Sequence, residues 1–560
     1  MTRPHPWEAL YPPGLDWGAP IPTMTLPAML DQAVARHGPR PCITYGDHTL
    51  TFQDLQTRAD RMARGLHALG VRPGDPVALL LPNCPAHPIA FFAVLRLGAR
   101  VVHLTPLDPA RAVARKLADS GARLLVTANT PGVLPQAVAN RPALDGLIVA
   151  DLSEWDQGPH ALPLPQGARP LATLDGPDVP WPVLAPSDVA LLQYTGGTTG
   201  QPRAALLTHA NLTATVAIYD AWNNGHGRTF RPHDRLLCVL PLFHIYALTA
   251  VLLRGIANGV EIVLHPRFQL DAVMHAIEHG RCTHMNGVPT MWIAMLALPD
   301  FVSRDLSSLR VVSSGGAALP HEVGERFHAL TGLRLGGGWG MTETAPAGTN
   351  ILPGAIQAPG EIGVPLPGIE MDVVALDDPH RTLAAGETGE VRIRGPNVMP
   401  GYYNHPTETA AAFVDGWFLT GDIGRMEPDG RFVLVDRKKD MIISGGFNVY
   451  PRAIEDAIHE HPDVLEAAVI GVPDPYRGQA AKAFIAQRPG TEPFTLEALH
   501  AFLRDRLGRH ELPAALELRD SLPHTPVGKL AKRDLVDAAA LANPPRSPIS
   551  DPKNGVTPWT

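Results

Sequence analysis

The run Tyr194-Thr195-Gly196-Gly197-Thr198-Thr199-Gly200-Gln201-Pro202-Arg203 restricts what this chain can fold into more than any other stretch. From Thr195 to Gly200 every residue is threonine or glycine, and a cation follows at Arg203. Glycine lets backbone N–H groups approach a ligand closely, and successive N–H groups form an anion-binding nest. The threonine hydroxyls add donors, and a guanidinium presents a planar fork suited to phosphate oxygens. The Walker pattern is excluded, because no Gly-Lys-Ser/Thr follows at its spacing. The preceding residues, Asp188-Val189-Ala190-Leu191-Leu192-Gln193, read as a buried strand. A buried strand feeding a donor-rich loop is where α/β proteins bind nucleotides, so the fold class predicted is α/β.

The flanking sequence agrees. Thr51 caps a predicted helix whose apolar positions Leu55, Ala59, Met62, Leu66 and Leu69 follow helical spacing, and Gly70 ends it. Val77–Leu81 reads as a buried strand, Ile89–Leu97 as a helix, and Val101–Leu104 as another strand. This alternation implies parallel sheets covered by helices. Phe432–Val435 reads as a strand, followed by a charged break over Asp436–Asp440. Beyond it the pattern implies a small unit with helices Pro451–Glu460 and Thr495–Leu507 and strands near Val464–Val472 and Ala481–Gln487. At 560 residues the chain exceeds one core. The expected division is therefore residues 1–438, residues 439–542 and a Pro-rich disordered tail from 543 to 560.

Composition removes several function classes. With 47 Lys plus Arg against 55 Asp plus Glu the net charge is −8, and no basic stripe interleaved with aromatics points to nucleic acid. Cys42, Cys84, Cys238 and Cys282 are widely spaced, which argues against a disulfide framework or a zinc site and favours a reducing compartment. No basic start followed by an apolar core marks a signal peptide. The most lipophilic run, Ala247–Leu264, is interrupted by Arg254, Asn258 and Glu261, and reads as a buried helix turning into a strand rather than a membrane span. A cytoplasmic location is the expectation, with peripheral contact at the inner membrane left open.

Three further segments carry chemistry. In Gly336-Gly337-Gly338-Trp339-Gly340-Met341-Thr342-Glu343-Thr344, glycines clear space beside a flat ring and Trp339 offers a stacking face. Thr342 offers a phosphate donor there, and Glu343 a hard-cation ligand. Mg²⁺ needs only one or two carboxylates, so a lone glutamate suffices. Trp417–Asp422 ends a predicted strand on an aspartate suited to a ribose diol. Pro523-His524-Thr525-Pro526-Val527-Gly528-Lys529 is a rigid loop carrying one lysine. Taken singly, the first is equally a tight turn and the second equally a solvated turn aspartate, while Lys529 alone reads as a solvated surface lysine.

In this order, the motifs resemble the adenylate-forming superfamily of acyl-CoA synthetases, luciferases and peptide-synthetase adenylation domains, over about Thr25 to Leu535. The resemblance implies a large N-terminal domain of several subdomains with parallel-rich sheets flanked by helices, and a small mobile α+β C-terminal domain. It also implies a two-step reaction, in which ATP and a carboxylic acid give an acyl-adenylate and coenzyme A then displaces AMP. Under it, Thr195, Gly196, Gly197, Thr198, Thr199 and Gly200 with Arg203 hold the β- and γ-phosphates. Gly315, Gly316 and Ala317 form the adenine wall with Trp339 and Gly340, Thr342 meets the α-phosphate, and Glu343 the Mg²⁺. Asp422 and Arg437 hold the ribose, Lys439 is the hinge, and His244 guards the carboxylate site. Lys529 serves adenylation, and Ser444, Gly445 and Gly446 serve the thiol step.

Four positions depart from the family pattern. Arg203 stands where lysine is usual, Ala204 where glycine is, Trp339 where tyrosine is common, and Glu511 where many relatives carry lysine. The stretches Pro241–Thr249, Asp436–Ile442 and Gly446–Pro451 resemble bacterial long-chain fatty acyl-CoA synthetases most closely. A medium- or long-chain fatty acid is the expected substrate, with Gly336 to Gly338 as an open pocket floor. A pimelate-type dicarboxylate, differing by one cation deep in the tunnel, and loading of a carrier protein in place of coenzyme A are the alternatives. Oligomeric state is not legible.

Overall fold

The computed structural model describes residues 5–155, 161–195, 203–317, 319–444, 447–474, 477–524 and 530–542. It forms two compact units, which divide between Leu434 and Val435. The expected tail, residues 543–560, lies outside the described residues.

Two sheets of the first unit are mostly parallel. One runs, in spatial order, Gly336–Gly337, Val311–Ser314, His284–Gly287, Arg235–Cys238, Glu261–Leu264 and Pro41–Tyr45, all parallel, and closes with antiparallel His48–Thr51. The other has Arg169–Pro170, Gly146–Ala150, Leu124–Ala128, Pro76–Leu80, Arg100–His103 and Val189–Tyr194 in parallel. Ala204–Thr208 and Gly401–Tyr402 add an antiparallel edge. A third, antiparallel sheet is built from Thr349–Asn350, Glu361–Pro365, Phe432–Arg437, Trp417–Met426, Gly389–Arg394 and Glu370–Val374.

The helices form where the sequence provides caps and stripes. Phe52–Ala68 starts on a reciprocal capping box, with Thr51 Oγ1 accepting from Asp54 N at 3.0 Å and Asp54 Oδ2 accepting from Thr51 N at 3.0 Å. Its buried stripe includes Leu55, Ala59, Met62 and Leu66, and Gly70 follows at φ +96°. That stripe packs on Ala86–Arg96, a helix buried at every position, whose Arg96 is neutralised by Asp31 at 2.6 Å and Asp60 at 2.9 Å. The lipophilic run is a helix from Ile245 to Ala257 with a π-helical middle, Leu248–Leu253, followed by the strand Glu261–Leu264. Asp220 engages two of the three polar interruptions, Arg254 and Asn258, at 2.7 Å each. Among the described residues no helix is long and apolar enough to cross a membrane. All four cysteines are buried thiols.

In the second unit, Phe447–Val449, Ile442–Ser444, Gly478–Gln487 and Val464–Asp474 form an antiparallel sheet that Ala515–Arg519 extends in parallel. Helices Pro451–His459, Leu496–Leu503 and Lys532–Ala542 complete it. The strand read as ending at Val435 runs on to Arg437, because Asp436 turns its carboxylate onto the backbone. It accepts from Arg437 N at 2.6 Å and from Arg452 N at 2.8 Å, the latter in the first turn of Pro451–His459. The helix expected to reach Leu507 stops at Leu503, beyond which the chain continues as turns.

Lys532 Nζ lies 2.8 Å from Glu455 Oε1, with side-chain exposures of 23% and 12%. Burial pushes the Glu455 carboxyl up to about 7, with the nearby Asp436 adding to the rise and Lys532 opposing it. A carboxyl raised in the folded state stabilises fully below its unfolded value, and that contribution fades as pH climbs through the folded value. Lys532→Met should therefore destabilise the second unit by about 3 kcal/mol at pH 8, where a buried carboxylate loses its cation. The loss should shrink at pH 5.5, where Glu455 takes up a proton. Urea unfolding of the full chain at both pH values measures it, and equal losses would show that Glu455 is not the group involved.

Candidate active site

Three parallel strands of one sheet, two of them adjacent and the third one strand away, deliver three of the motifs at their C-terminal ends, the edge where open α/β sheets bind ligands. Arg235–Cys238 leads to Pro241–Tyr246, Val311–Ser314 to Gly315–Ala317, and Gly336–Gly337 to Trp339–Glu343. The histidine loop is tied down from two sides. Asn83 donates to Leu240 O at 2.9 Å and accepts from Leu242 N at 2.8 Å, while Gln193, held by His103 Nδ1 at 3.0 Å, donates to Phe243 O at 3.0 Å. His244 heads the following helix, its Nδ1 accepting from Tyr246 N at 3.3 Å.

Glu343 is 6% exposed and sits in a single 3₁₀ turn, Thr342–Thr344. Tyr402 donates its hydroxyl to Glu343 Oε1 at 2.9 Å. Burial, with the adjacent Glu343 carboxylate, holds the Tyr402 phenol far above its ordinary range, so it remains a donor. The Arg203 guanidinium lies over the Tyr402 ring at 5.7 Å and 4.0 Å from Glu408 Oε1. This proximity comes from strand pairing: Gly401–Tyr402 lies antiparallel to Ala204–Thr208, with Tyr402 opposite Ala205. Asn397 fixes the far side, donating to Thr344 O at 2.6 Å and Ala347 O at 2.7 Å, and Met399 N donates to Glu343 O at 2.8 Å. Arg203 and Glu343, distant in sequence, thus meet around one tyrosine. Among the described residues no cluster of three or more His, Cys, Asp or Glu forms a metal cage. A buried carboxylate braced by a phenol instead suits a cation that brings its own phosphate and water ligands.

Asp422 lies within a strand rather than at its end. Trp417–Met426 continues past it, but the register against Gly389–Arg394 shifts opposite Val391, and Gly421 takes φ +70°. This β-bulge re-aims a buried side chain in mid-strand. Thr420 Oγ1 donates to Val391 O at 2.7 Å and accepts from Asp422 N at 3.1 Å, and Trp339 Nε1 donates to Asp422 Oδ2 at 2.8 Å. Tryptophan in place of tyrosine therefore orients the aspartate through its ring N–H. The indole rests on Gly348, where a Cβ would come within 2.5 Å of the ring.

The three glycines do not form one floor. A Cβ on Gly336 would meet Arg228 Nη1 at 3.8 Å, and one on Gly337 would meet Gln357 and Ile351 at 3.8 and 3.9 Å, because successive positions of a strand face opposite ways. Gly338 has no room at all, since its Cβ would lie 2.2 Å from Thr349 O. The three glycines serve different ends, then, and Gly338 permits close backbone approach. Gly340 is tighter still, at 1.5 Å from Pro346 O.

His244, Gly315, Gly316, Ala317, Trp339, Gly340, Thr342, Glu343, Asp422, Thr195 and Arg203 all belong to the first unit, where contacts link Arg203 to Glu343 through Tyr402 and Trp339 to Asp422. Thr195 N donates to Arg203 O at 2.9 Å, so the two described ends of the Thr/Gly segment are tied together, while Gly196 to Gly200 lie outside the described residues. Arg437, Lys439 and Ser444 belong to the second unit, the first two exposed and Ser444 buried; Gly445, Gly446 and Lys529 lie outside the described residues. Glu511 closes its own turn, accepting from Gly508 N at 2.7 Å. Tyr402 and Asn397 were not read from the sequence; the pair Tyr402-Tyr403 after Pro400-Gly401 was the only available signal.

The family model described as AMP-binding enzyme matches residues 30–403, and that of the AMP-binding enzyme C-terminal domain matches residues 453–529. The chain is 35% identical over 559 residues to a long-chain-fatty-acid–CoA ligase of Bacillus subtilis strain 168, covering 96% of this chain and 98% of that one. It is 39% identical over 495 residues to a feruloyl-CoA synthase of an Amycolatopsis species, covering 88% and 94%. The O-succinylbenzoate coenzyme A synthetase of Bacillus subtilis, solved in complex with ATP and magnesium ion, superimposes with a TM-score of 0.78 at 28% identity, covering 91% of this chain and 99% of that chain.

Proposed function

The chain belongs to the AMP-binding enzyme family, and from that premise we propose that it is an ATP-dependent acyl-CoA synthetase, an AMP-forming acid–thiol ligase acting on a medium- or long-chain carboxylic acid. The observation that carries this reading is the meeting of Arg203, Tyr402 and Glu343 beside the strand ends bearing His244, Gly315 and Trp339. The substrates are ATP, coenzyme A and the acid.

In the first step a carboxylate oxygen bonds to the α-phosphorus and the bond to the bridging oxygen breaks, so pyrophosphate leaves with the electron pair. Anions converge, and the protein's task is alignment and charge neutralisation. Thr195 to Gly200 and Arg203 hold the β- and γ-phosphates, and Thr342 the α-phosphate. Gly315, Gly316, Ala317, Gly340 and Trp339 enclose the adenine, and Asp422, aimed by the Trp339 N–H, takes the ribose with Arg437. His244 closes the carboxylate site. Glu343 holds the Mg²⁺ that accompanies the nucleotide, which supplies further neutralisation of phosphate charge. Lys529 contributes a cation to this step. In the second step the coenzyme A sulfur bonds to the acyl carbon and AMP departs with the oxygen, with Ser444, Gly445 and Gly446 presented to the thiol. A hinge at Lys439, between a domain of residues 1–438 and one of 439–542, exchanges these faces.

Acid-dependent ATP–pyrophosphate exchange and AMP release, measured with a panel of acids with and without coenzyme A, test the proposal. Thioester formation with free coenzyme A is expected. Exchange without a thioester would move the chain to carrier-protein loading, and no exchange with any acid would end the catalytic reading.

A further inference from the structure

We infer that Arg228 is the specificity-determining residue of the acid pocket, reading a second anionic group at the far end of the acid, so that an α,ω-dicarboxylic acid is preferred to a fatty acid of the same length. The inference rests on the acyl-CoA synthetase reading above and names its substrate class.

Ser313 and Gly336 are register partners in adjacent parallel strands, so they present to the same face of the sheet. Tyr246 joins that face, with its hydroxyl 3.1 Å from Ser313 Oγ and its ring 3.0 Å from where a Cβ on Gly315 would stand. The Arg228 Nη1 atom completes it, 3.8 Å from the Cβ position of Gly336. This face thus carries Tyr246, Ser313 and the Gly336 position, with the Arg228 guanidinium at its edge. It is polar at the end where an alkyl terminus would have to rest.

Arg228 is half-buried, and among the described residues it has no carboxylate partner. The nearby acids are already committed: Asp220 to Arg254 at 2.7 Å, and Asp234 to Arg310 at 2.5 Å. Burial lowers the Arg228 guanidinium below its ordinary range, and its charge in turn helps hold His226 and His284 below theirs, behind the larger effect of burial. Arg254 and Arg310 are thus compensated, and the Arg228 guanidinium is the charge left for an incoming anion. An apolar chain end placed here would strip water from a guanidinium and return nothing, whereas a carboxylate would form a charge-assisted, bidentate pair. The segment is also pre-positioned. Arg228 N donates to Asn223 O at 2.8 Å, and two residues on Phe230 lies between Arg254 at 4.5 Å and His284 at 4.8 Å.

The test is kcat/KM for AMP release with matched series of monocarboxylic and α,ω-dicarboxylic acids, for the full chain and for Arg228→Leu and Arg228→Lys. The unmodified protein should favour the dicarboxylate at its best length. Arg228→Leu should lower the ratio of dicarboxylate to monocarboxylate by roughly a hundredfold, chiefly through KM, the size expected when one partner of a desolvated charge pair is removed. Arg228→Lys should keep most of the preference. A merely structural Arg228 would lower turnover of both series together and leave the ratio unchanged, which would overturn the inference. Preference of the unmodified protein for monocarboxylates would overturn it too while leaving the ligase reading intact. No AMP release from any acid would overturn both.

Discussion

Glu343→Gln should lower the rate of acyl-adenylate formation by about 10²-fold or more at limiting Mg²⁺, because a lost carboxylate ligand removes several kcal/mol of charge stabilisation from a step in which anions converge. The amide keeps the shape of the side chain, so the buried 3₁₀ turn Thr342–Thr344 should persist and thermal stability should change little. Excess Mg²⁺ should restore part of the rate, since phosphate and water ligands remain. Tyr402→Phe supplies the companion result. It removes the 2.9 Å hydrogen bond that orients Glu343 while leaving the carboxylate in place. A loss of roughly 10–100-fold in apparent Mg²⁺ affinity is expected, as for partners that orient metal ligands. Wild-type Mg²⁺ dependence in both variants would remove Glu343 from the metal site.

The same pair shows where legibility in the sequence ends. Glu343 stands in a local run, Gly336 to Thr344, whose composition announces a ligand loop. Tyr402 reaches it only through a strand pairing with Ala204–Thr208, and no local pattern encodes which distant strand will be a neighbour. Asp422 shows a subtler limit. Its residue type pointed to a sugar-binding carboxylate, yet the alternation of Trp417–Met426 carries no mark of the register shift at Gly421 that turns it, beyond the glycine itself. The glycines of Gly336–Gly340 look alike in sequence but answer to different neighbours: Arg228, Gln357, Thr349 and Pro346. Helices with caps and stripes, such as Phe52–Ala68, were legible because their determinants lie within one or two turns. Asp436 reads as part of a charged break, but its charge is spent on two backbone N–H groups, and the strand continues beneath it.

The largest separable effect is expected at Lys529. The two half-reactions need opposite things: a cation at the α-phosphate while pyrophosphate leaves, and then an open path for a thiol. Both the lysine and the residues proposed for the thiol step, Ser444 to Gly446, follow the proposed hinge at Lys439. His524 and Leu530, which flank the lysine loop, pair with each other, and Ala531 N donates to Pro523 O at 2.8 Å. The described residues on either side of the loop are therefore tied to each other within the second unit. Removing one positive charge from such a transition state costs roughly 10²–10³ in rate. Lys529→Ala should accordingly cripple acyl-adenylate formation while converting pre-made acyl-adenylate to thioester at nearly the normal rate. Lys439→Pro should do the reverse, because proline fixes φ at about −65° and restricts the backbone rotation that exchanges the two faces. Stopped assays of each half-reaction, run on both variants with ATP plus acid and then with acyl-adenylate plus coenzyme A, distinguish these outcomes. If Lys529→Ala slows both half-reactions equally, its lysine acts on general binding and the alternation of faces loses its support. If Lys439→Pro leaves thioester formation untouched, the hinge lies elsewhere along the connection between the two units.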